Sequence, residues 1–286
     1  MESKKRTVLT LQAMKDEGRK ISMVTCYDYT TGLLVEHSDI DMVLIGDSLG
    51  MTMMGYDDTL PVTMEDMIHH TACVSRALSD TFLLADMPFM SYHLSTEQAV
   101  ANAGRLVKEG HAQGVKLEGG AKFCDQIRAI TDAQIPVCAH LGLTPQSINA
   151  FGGFKVQGKN VERAEELVAD ARKVEEAGAF MVVLECVPEK LATLISRELH
   201  IPTIGIGAGN GCDGQVLVYQ DLLNMGIFGG VKPKFVRHFA DIGEAMLKAF
   251  NEYDAAVKDE SFPVNGEHTF AIADEVMEQV QKDLGK

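Results

Sequence analysis

The chain has 286 residues, of which 46% are hydrophobic and 23% charged, and its formal net charge is −15. This length suits one α/β barrel with short extensions, and the composition is that of a globular protein with a sizeable core. Such acidity argues against nucleic acid and anionic membrane surfaces as partners, and an anionic substrate would need a local positive site, either a metal ion or a buried lysine.

The chain starts with the basic run Met1-Glu-Ser-Lys-Lys-Arg6, but no apolar run of signal-peptide length follows it. No segment approaches the roughly 18 apolar residues of a membrane span. Cys26, Cys73, Cys124, Cys138, Cys186 and Cys212 are scattered without a C-x-x-C pair, the pattern of reduced thiols. A cytoplasmic protein is expected.

Short apolar, β-branched runs predict strands at 21–27, 42–46, 82–85, 114–117, 136–139, 180–184, 202–206 and 216–219. They are continuously apolar rather than alternating, as expected for parallel strands covered on both faces. Helical periodicity fills 97–113, 161–177 and 188–199 between them. Eight strand–helix repeats predict a closed (β/α)8 TIM barrel, with an open doubly wound sheet as the alternative. No linker or low-complexity stretch divides residues 1–286, so a single domain is expected, with a short N-terminal extension and a C-terminal helical tail from about residue 264. In that tail Ile272, Val276, Val280 and Leu284 share one helix face, suited either to packing on the barrel or to a subunit contact. Two Gly-rich, polar loops, 48–63 and 142–160, have the length and composition of active-site loops.

The residues that end the apolar runs carry the chemistry. Asp28 follows the first run, Asp47 and Ser48 the second, and Asp86 the third; Lys116 and Glu118 lie on the fourth, His140 ends the fifth and Glu185 the sixth. In a barrel these C-terminal ends converge on one mouth. Singly, an Asp after a strand is more often a helix cap, and a lone His a structural residue. Together, several carboxylates and one lysine at one mouth are unfavourable unless a cation joins them. Oxygen donors favour Mg²⁺, and neither Cys nor paired His stands at zinc-ligand spacing. Lys116, two residues before Glu118 and so on the same strand face, can offset the remaining charge and meet a substrate carboxylate. A carboxylate or imidazole at such a mouth can serve as a proton acceptor, with Glu185 as first candidate and His140 as second.

Two glycine-rich runs are rejected as nucleotide sites. Residues 153–160 satisfy G-x-x-x-x-G-K, but Asn160 replaces the Ser or Thr that would bind magnesium and no buried strand leads in. The run 205–211 fails the G-x-G-x-x-G spacing and reads as a tight turn that lets backbones approach closely.

The blocks Gly46-Asp-Ser-Leu-Gly-Met51, Thr59-Leu-Pro-Val-Thr63, Ala85-Asp-Met-Pro-Phe-Met90 and Lys116-Leu-Glu-Gly-Gly120 resemble the ketopantoate hydroxymethyltransferase family. So do His140-Leu-Gly-Leu-Thr-Pro-Gln146, Phe151-Gly-Gly-Phe-Lys-Val-Gln-Gly158, Ile204-Gly-Ile-Gly-Ala-Gly209 and Asp213-Gly-Gln215, in order from about Thr10 to about Phe270. The resemblance implies a magnesium-dependent barrel of the phosphoenolpyruvate/pyruvate-binding type. It implies transfer of a hydroxymethyl group from 5,10-methylenetetrahydrofolate to 3-methyl-2-oxobutanoate, giving 2-dehydropantoate for pantothenate synthesis. It places the metal on Asp47, Asp86 and Glu118, the substrate on Asp47, Ser48, Asp86 and Lys116, and the proton acceptor on Glu185. It also implies a homo-oligomer, commonly a decamer. Two departures stand out: Cys138-Ala139 before His140, where the family leads one to expect a Gly, and a longer tail. A lyase or mutase on the same barrel would be expected to carry a cysteine in a mobile loop, and neither long loop contains one. A non-catalytic barrel would have lost an acidic strand end, and none is lost.

Overall fold

A computed structural model of the chain describes residues 5–153, 155–226 and 233–286. Eight parallel strands close into a barrel in chain order: β1 (Ile21–Thr25), β2 (Met42–Ile45), β3 (Phe82–Asp86), β4 (Gly114–Glu118), β5 (Val137–Gly142), β6 (Met181–Glu185), β7 (Thr203–Ile206) and β8 (Gly214–Leu217), which pairs back onto β1. The open-sheet alternative is thereby excluded. Helices Tyr29–Glu36, Met64–Ser75, Thr96–Lys108, Cys124–Asp132, Val161–Glu176 and Glu189–Glu198 lie in the connections that follow β1 to β6. All six cysteines are free, and no described helix is long and apolar enough to cross a membrane.

The expected strand–helix alternation stops after β6. Residues 207–213 join β7 to β8 without a helix, because Gly207 and Gly209 hold φ of 63° and 82° and break any helical run. The last strand also starts two residues earlier than expected, at Gly214. A Cβ at that position would sit 2.4 Å from the Ile21 carbonyl oxygen. The glycine that looks like a turn residue in the sequence is what allows β8 to close against β1.

The chain divides into two compact units, Met1–Leu222 with Val231–Arg237, and Leu223–Gly230 with His238–Lys286. The first is the barrel. The second holds helices Ile242–Lys258 and Asp274–Asp283, with Phe262 packed between Tyr253 and His268. Ile272, Val276, Val280 and Leu284 of the tail are exposed.

Side chains inside a barrel come from every second residue of each strand. One buried cluster unites Ile21 and Met23, Met42 and Leu44, Phe82 and Leu84, Cys138, Met181 and Val183, Ile204, and Val216. Its floor is the N-terminal helix Val8–Asp16, which adds Leu11 and Met14 to the same cluster. Thr7 caps that helix, its hydroxyl accepting from the Thr10 N–H while its own N–H donates to Thr10 Oγ1. Lys15 Nζ then fastens the helix by donating to Ser196 O, Ile201 O and Asp213 Oδ2, each within 2.9 Å. Leu11→Ala leaves a cavity at the barrel floor and is expected to lower unfolding free energy by about 2–5 kcal/mol, measured by urea denaturation. A loss well under about 1 kcal/mol would show that the helix does not close the core.

Candidate active site

The inward parity of each strand continues to its C-terminal end, where the residues change from apolar to charged. Asp86 follows Phe82 and Leu84 on the inner face of β3, and His140 follows Cys138 on β5. Glu185 follows Met181 and Val183 on β6, while the strand register sets Asp86 beside Lys116, and Glu118 beside His140. Gly142 stands opposite Glu185, and a Cβ there would lie 2.3 Å from the Glu185 carbonyl oxygen. Glycine therefore lets β5 and β6 meet closely at the rim. Asp47 lies just past β2, where its backbone N–H donates to Asp86 Oδ2 at 3.0 Å.

These side chains form one connected group. Lys116 Nζ lies 2.8 Å from Asp86 Oδ1 and 3.3 Å from His140 Nδ1. The imidazole stands between two carboxylates, with Nδ1 3.3 Å from Glu118 Oε1 and Nε2 3.3 Å from Glu185 Oε2. Side chains of Lys116, Asp86, Glu118 and His140 are 3–4% exposed, against 15% for Glu185. Glu185 is thus the carboxylate of this set most open to solvent. Ser48 is half-buried and its hydroxyl bonds to Tyr27 Oη at 2.8 Å.

The electrostatics follow from burial and from the shortage of positive charge. Burial, then the neighbouring Asp86 and Glu118 carboxylates, push Asp47 well above the usual carboxylate range against the pull of Lys116 and Gln146. Burial likewise raises Asp86, although Lys116 opposes it. Burial disfavours the charged form of Lys116, but Asp86, Glu118 and Asp47 outweigh it and hold the ammonium charged. Burial and Lys116 both work against a charged His140, yet hydrogen bonds to Glu118 and Glu185 prevail and push it up to about 9. Thiol chemistry is disfavoured: burial pushes Cys138 up to about 12, and Cys186, beside Glu185, up to about 11.

Taken as ionised, the four carboxylates Asp47, Asp86, Glu118 and Glu185 outnumber the charges of Lys116 and His140, an excess that a cation would offset. Asp86 Oδ1 also lacks a well-directed hydrogen bond despite its ion pair. The donor set therefore fits a hard divalent cation. Among the described residues no three His, Cys, Asp or Glu side chains are gathered closely enough to hold an ion alone. Mg²⁺ commonly meets one or two carboxylates directly and others through water, so Asp47, Asp86 and Glu118 would not all need to touch the ion.

Most residues expected at the mouth are there, with one exception. Asp28 caps helix Tyr29–Glu36, its Oδ1 accepting from the Thr31 N–H at 2.8 Å and its Oδ2 from the Thr31 hydroxyl at 2.7 Å. Three buried residues join the mouth without having been expected there: Tyr27, Tyr92 and Gln146. Tyr27 ends the first apolar run and could have been suspected, and Gln146 closes one of the family-like blocks, but Tyr92 stands in the loop after β3 without a local signal.

A closed parallel barrel with acidic strand ends and one buried lysine at its mouth defines an enzyme of the α/β-barrel class. Among solved structures the fold is similar to phosphonopyruvate hydrolase complexed with oxalate and Mg²⁺ (TM-score 0.60, 13% identity, 97% of this chain and 96% of that one). It is also similar to 2,3-dimethylmalate lyase, a PEP mutase/isocitrate lyase superfamily member (TM-score 0.59, 15% identity, 100% and 98%). At such identities the likeness concerns the fold alone. The family model for ketopantoate hydroxymethyltransferase matches residues 5–265. The chain is 59% identical to the 3-methyl-2-oxobutanoate hydroxymethyltransferase of Clostridium novyi and 58% to that of Enterococcus faecalis, covering 96% of this chain and 99% of each relative. The chain belongs to the ketopantoate hydroxymethyltransferase family.

Crowded carboxylates should cost the metal-free protein stability. Because the folded-state pKa of Asp47 is raised, its ionisation opposes folding as pH rises above the unfolded value. At neutral pH Asp47→Asn is therefore expected to raise the melting temperature in EDTA and to shrink the increase produced by Mg²⁺ in wild type. A lower melting temperature in EDTA would contradict the charge assignment.

Proposed function

We propose that this chain transfers a hydroxymethyl group from 5,10-methylenetetrahydrofolate to 3-methyl-2-oxobutanoate, giving 2-dehydropantoate for pantothenate synthesis. The observation that carries the reading is the buried Asp86–Lys116–His140 group with its flanking carboxylates, in a chain 59% identical over 96% of its length to a relative of that name. Asp47, Asp86 and Glu118 are the proposed holders of Mg²⁺, and Asp47, Ser48, Asp86 and Lys116 the proposed substrate contacts. When bound, Mg²⁺ supplies Lewis acidity that polarises the keto acid and favours enolate charge.

The protein's own groups do the rest. Lys116, held charged, meets the anionic keto acid in a region otherwise rich in carboxylates. Glu185 accepts the proton from C3, and two features support it over His140. Its side chain is 15% exposed, so it reaches the space that a substrate enters. His140 is less suited: it is 3% exposed, both its ring nitrogens face carboxylates, and these raise its pKa to about 9, which favours the charged form. The imidazolium instead holds the Glu185 carboxylate at 3.3 Å and spreads the negative charge around it. Water adds to the one-carbon unit of the folate and both of its C–N bonds break, the two protons of water ending on N5 and N10; the carbon nucleophile then attacks the formaldehyde-level carbon released, whose oxygen takes up a proton and becomes the hydroxyl.

Deuterium uptake at C3 from D₂O, with Mg²⁺ and no folate, isolates the proton transfer. Glu185→Gln keeps the shape but cannot accept a proton, and is expected to slow both exchange and turnover by about 10²–10⁴-fold. His140→Asn should slow them less. Fast exchange in Glu185→Gln together with slow exchange in His140→Asn would move the base to His140, and loss of turnover with intact exchange would place Glu185 on the folate instead.

A further inference from the structure

One buried side chain joins the ends of four strands at the mouth. Gln146 lies in the turn Pro145–Ser147 just after β5 and is 5% exposed. Its backbone N–H donates to Glu118 Oε2 at 2.9 Å, at the end of β4. Its Nε2 donates to Asp47 Oδ2 at 2.8 Å, beyond β2, and to the Met87 carbonyl at 3.0 Å, beyond β3. Its Oε1 accepts from the Tyr92 hydroxyl at 2.6 Å.

The surroundings fix which way the amide points. One end faces a carboxylate and a carbonyl, both acceptors, and so must be the NH₂ end. The other end faces a phenol that is 1% exposed, whose oxygen also accepts from the Glu118 N–H at 3.2 Å. A phenol carries its proton at neutral pH, so the Tyr92 hydroxyl can donate to the amide oxygen 2.6 Å away. Both amide hydrogens are used, and the flipped amide would set an oxygen against the Asp47 carboxylate.

A saturated buried glutamine is ordinarily a structural brace. What sets this one apart is its choice of partners, because it engages one oxygen of Asp47 and one of Glu118 and leaves Asp47 Oδ1 and Glu118 Oε1 to other partners. We propose that Gln146, locked by Tyr92, is a positioning residue for a divalent cation: it orients the Asp47 and Glu118 carboxylates and thereby sets the cation affinity of the site. The inference rests on the metal reading above and deepens it. Groups that orient ligating side chains typically change metal affinity 10–100-fold when removed.

The test uses the full-length protein and Mn²⁺ alone, with free Mn²⁺ followed by electron paramagnetic resonance. In Gln146→Leu the dissociation constant is expected to rise about 10–100-fold relative to wild type, with circular dichroism showing a folded protein. The Mg²⁺ concentration for half-maximal turnover should rise in parallel, while kcat at saturating Mg²⁺ changes far less. A merely structural brace would lower the melting temperature and leave Mn²⁺ affinity alone. Tyr92→Phe, which removes only the proton that locks the amide, should shift affinity in the same direction by a smaller factor, and it decides the matter if Gln146→Leu does not fold. Wild-type affinity in the folded variants would overturn the inference and leave the metal reading standing. Failure of wild type itself to bind Mn²⁺ would sink the metal reading, and this inference with it.

Discussion

A parallel barrel sends every second residue inward, and at the upper end of this one the inward residues are charged. That constraint governs the molecule. Asp86, Lys116, Glu118, His140 and Glu185 sit on the same strand faces as the apolar core below them, so they cannot turn away to solvent without breaking the barrel. Buried charge is tolerated only when paired, and the pairing here is incomplete. Lys116 is shared by Asp86, Glu118 and Asp47, and His140 by Glu118 and Glu185.

The rest of the structure reads as a response to this crowding. The floor is sealed by Leu11 and Met14, and the Lys15 contacts fasten the helix that carries them. The rim is drawn tight by Gly142 against β6, and the carboxylates are spread by donors that carry no charge, the Asp47 N–H and the Gln146 amide. Neutral donors orient an anion without cancelling the negative charge that would draw a cation. On the proposed function, this site is unfavourable for folding without an ion and favourable for binding one, a common exchange of stability for function.

Much of this was legible in the amino-acid sequence because it is local. Continuous apolar runs marked all eight strands, and a charged residue directly after such a run is conspicuous whatever its partner. What was not legible depended on contacts between distant residues. Gln146 touches Asp47 and Met87, and Tyr92 touches Glu118, across separations of 99, 59 and 26 residues. Asp28 looked like Asp47 in the sequence, since both follow an apolar run; only the N–H of Thr31, the third residue of the next helix, makes the first a cap. The missing helix between β7 and β8 and the early start of β8 share one cause, glycines that look like turn formers but serve close strand packing at Gly214 and a sharp reversal at Gly207 and Gly209.

The central claim is that the unbalanced carboxylates at the mouth receive a divalent ion together with the keto acid. The most direct measurement is anomalous scattering at the manganese edge from crystals grown with Mn²⁺ and 3-methyl-2-oxobutanoate. The account predicts one strong peak bounded by Asp47, Asp86 and Glu118, with the keto acid against it and its C3 facing Glu185. A peak elsewhere in the molecule, or keto acid bound at the mouth with no peak beside it, would contradict the account.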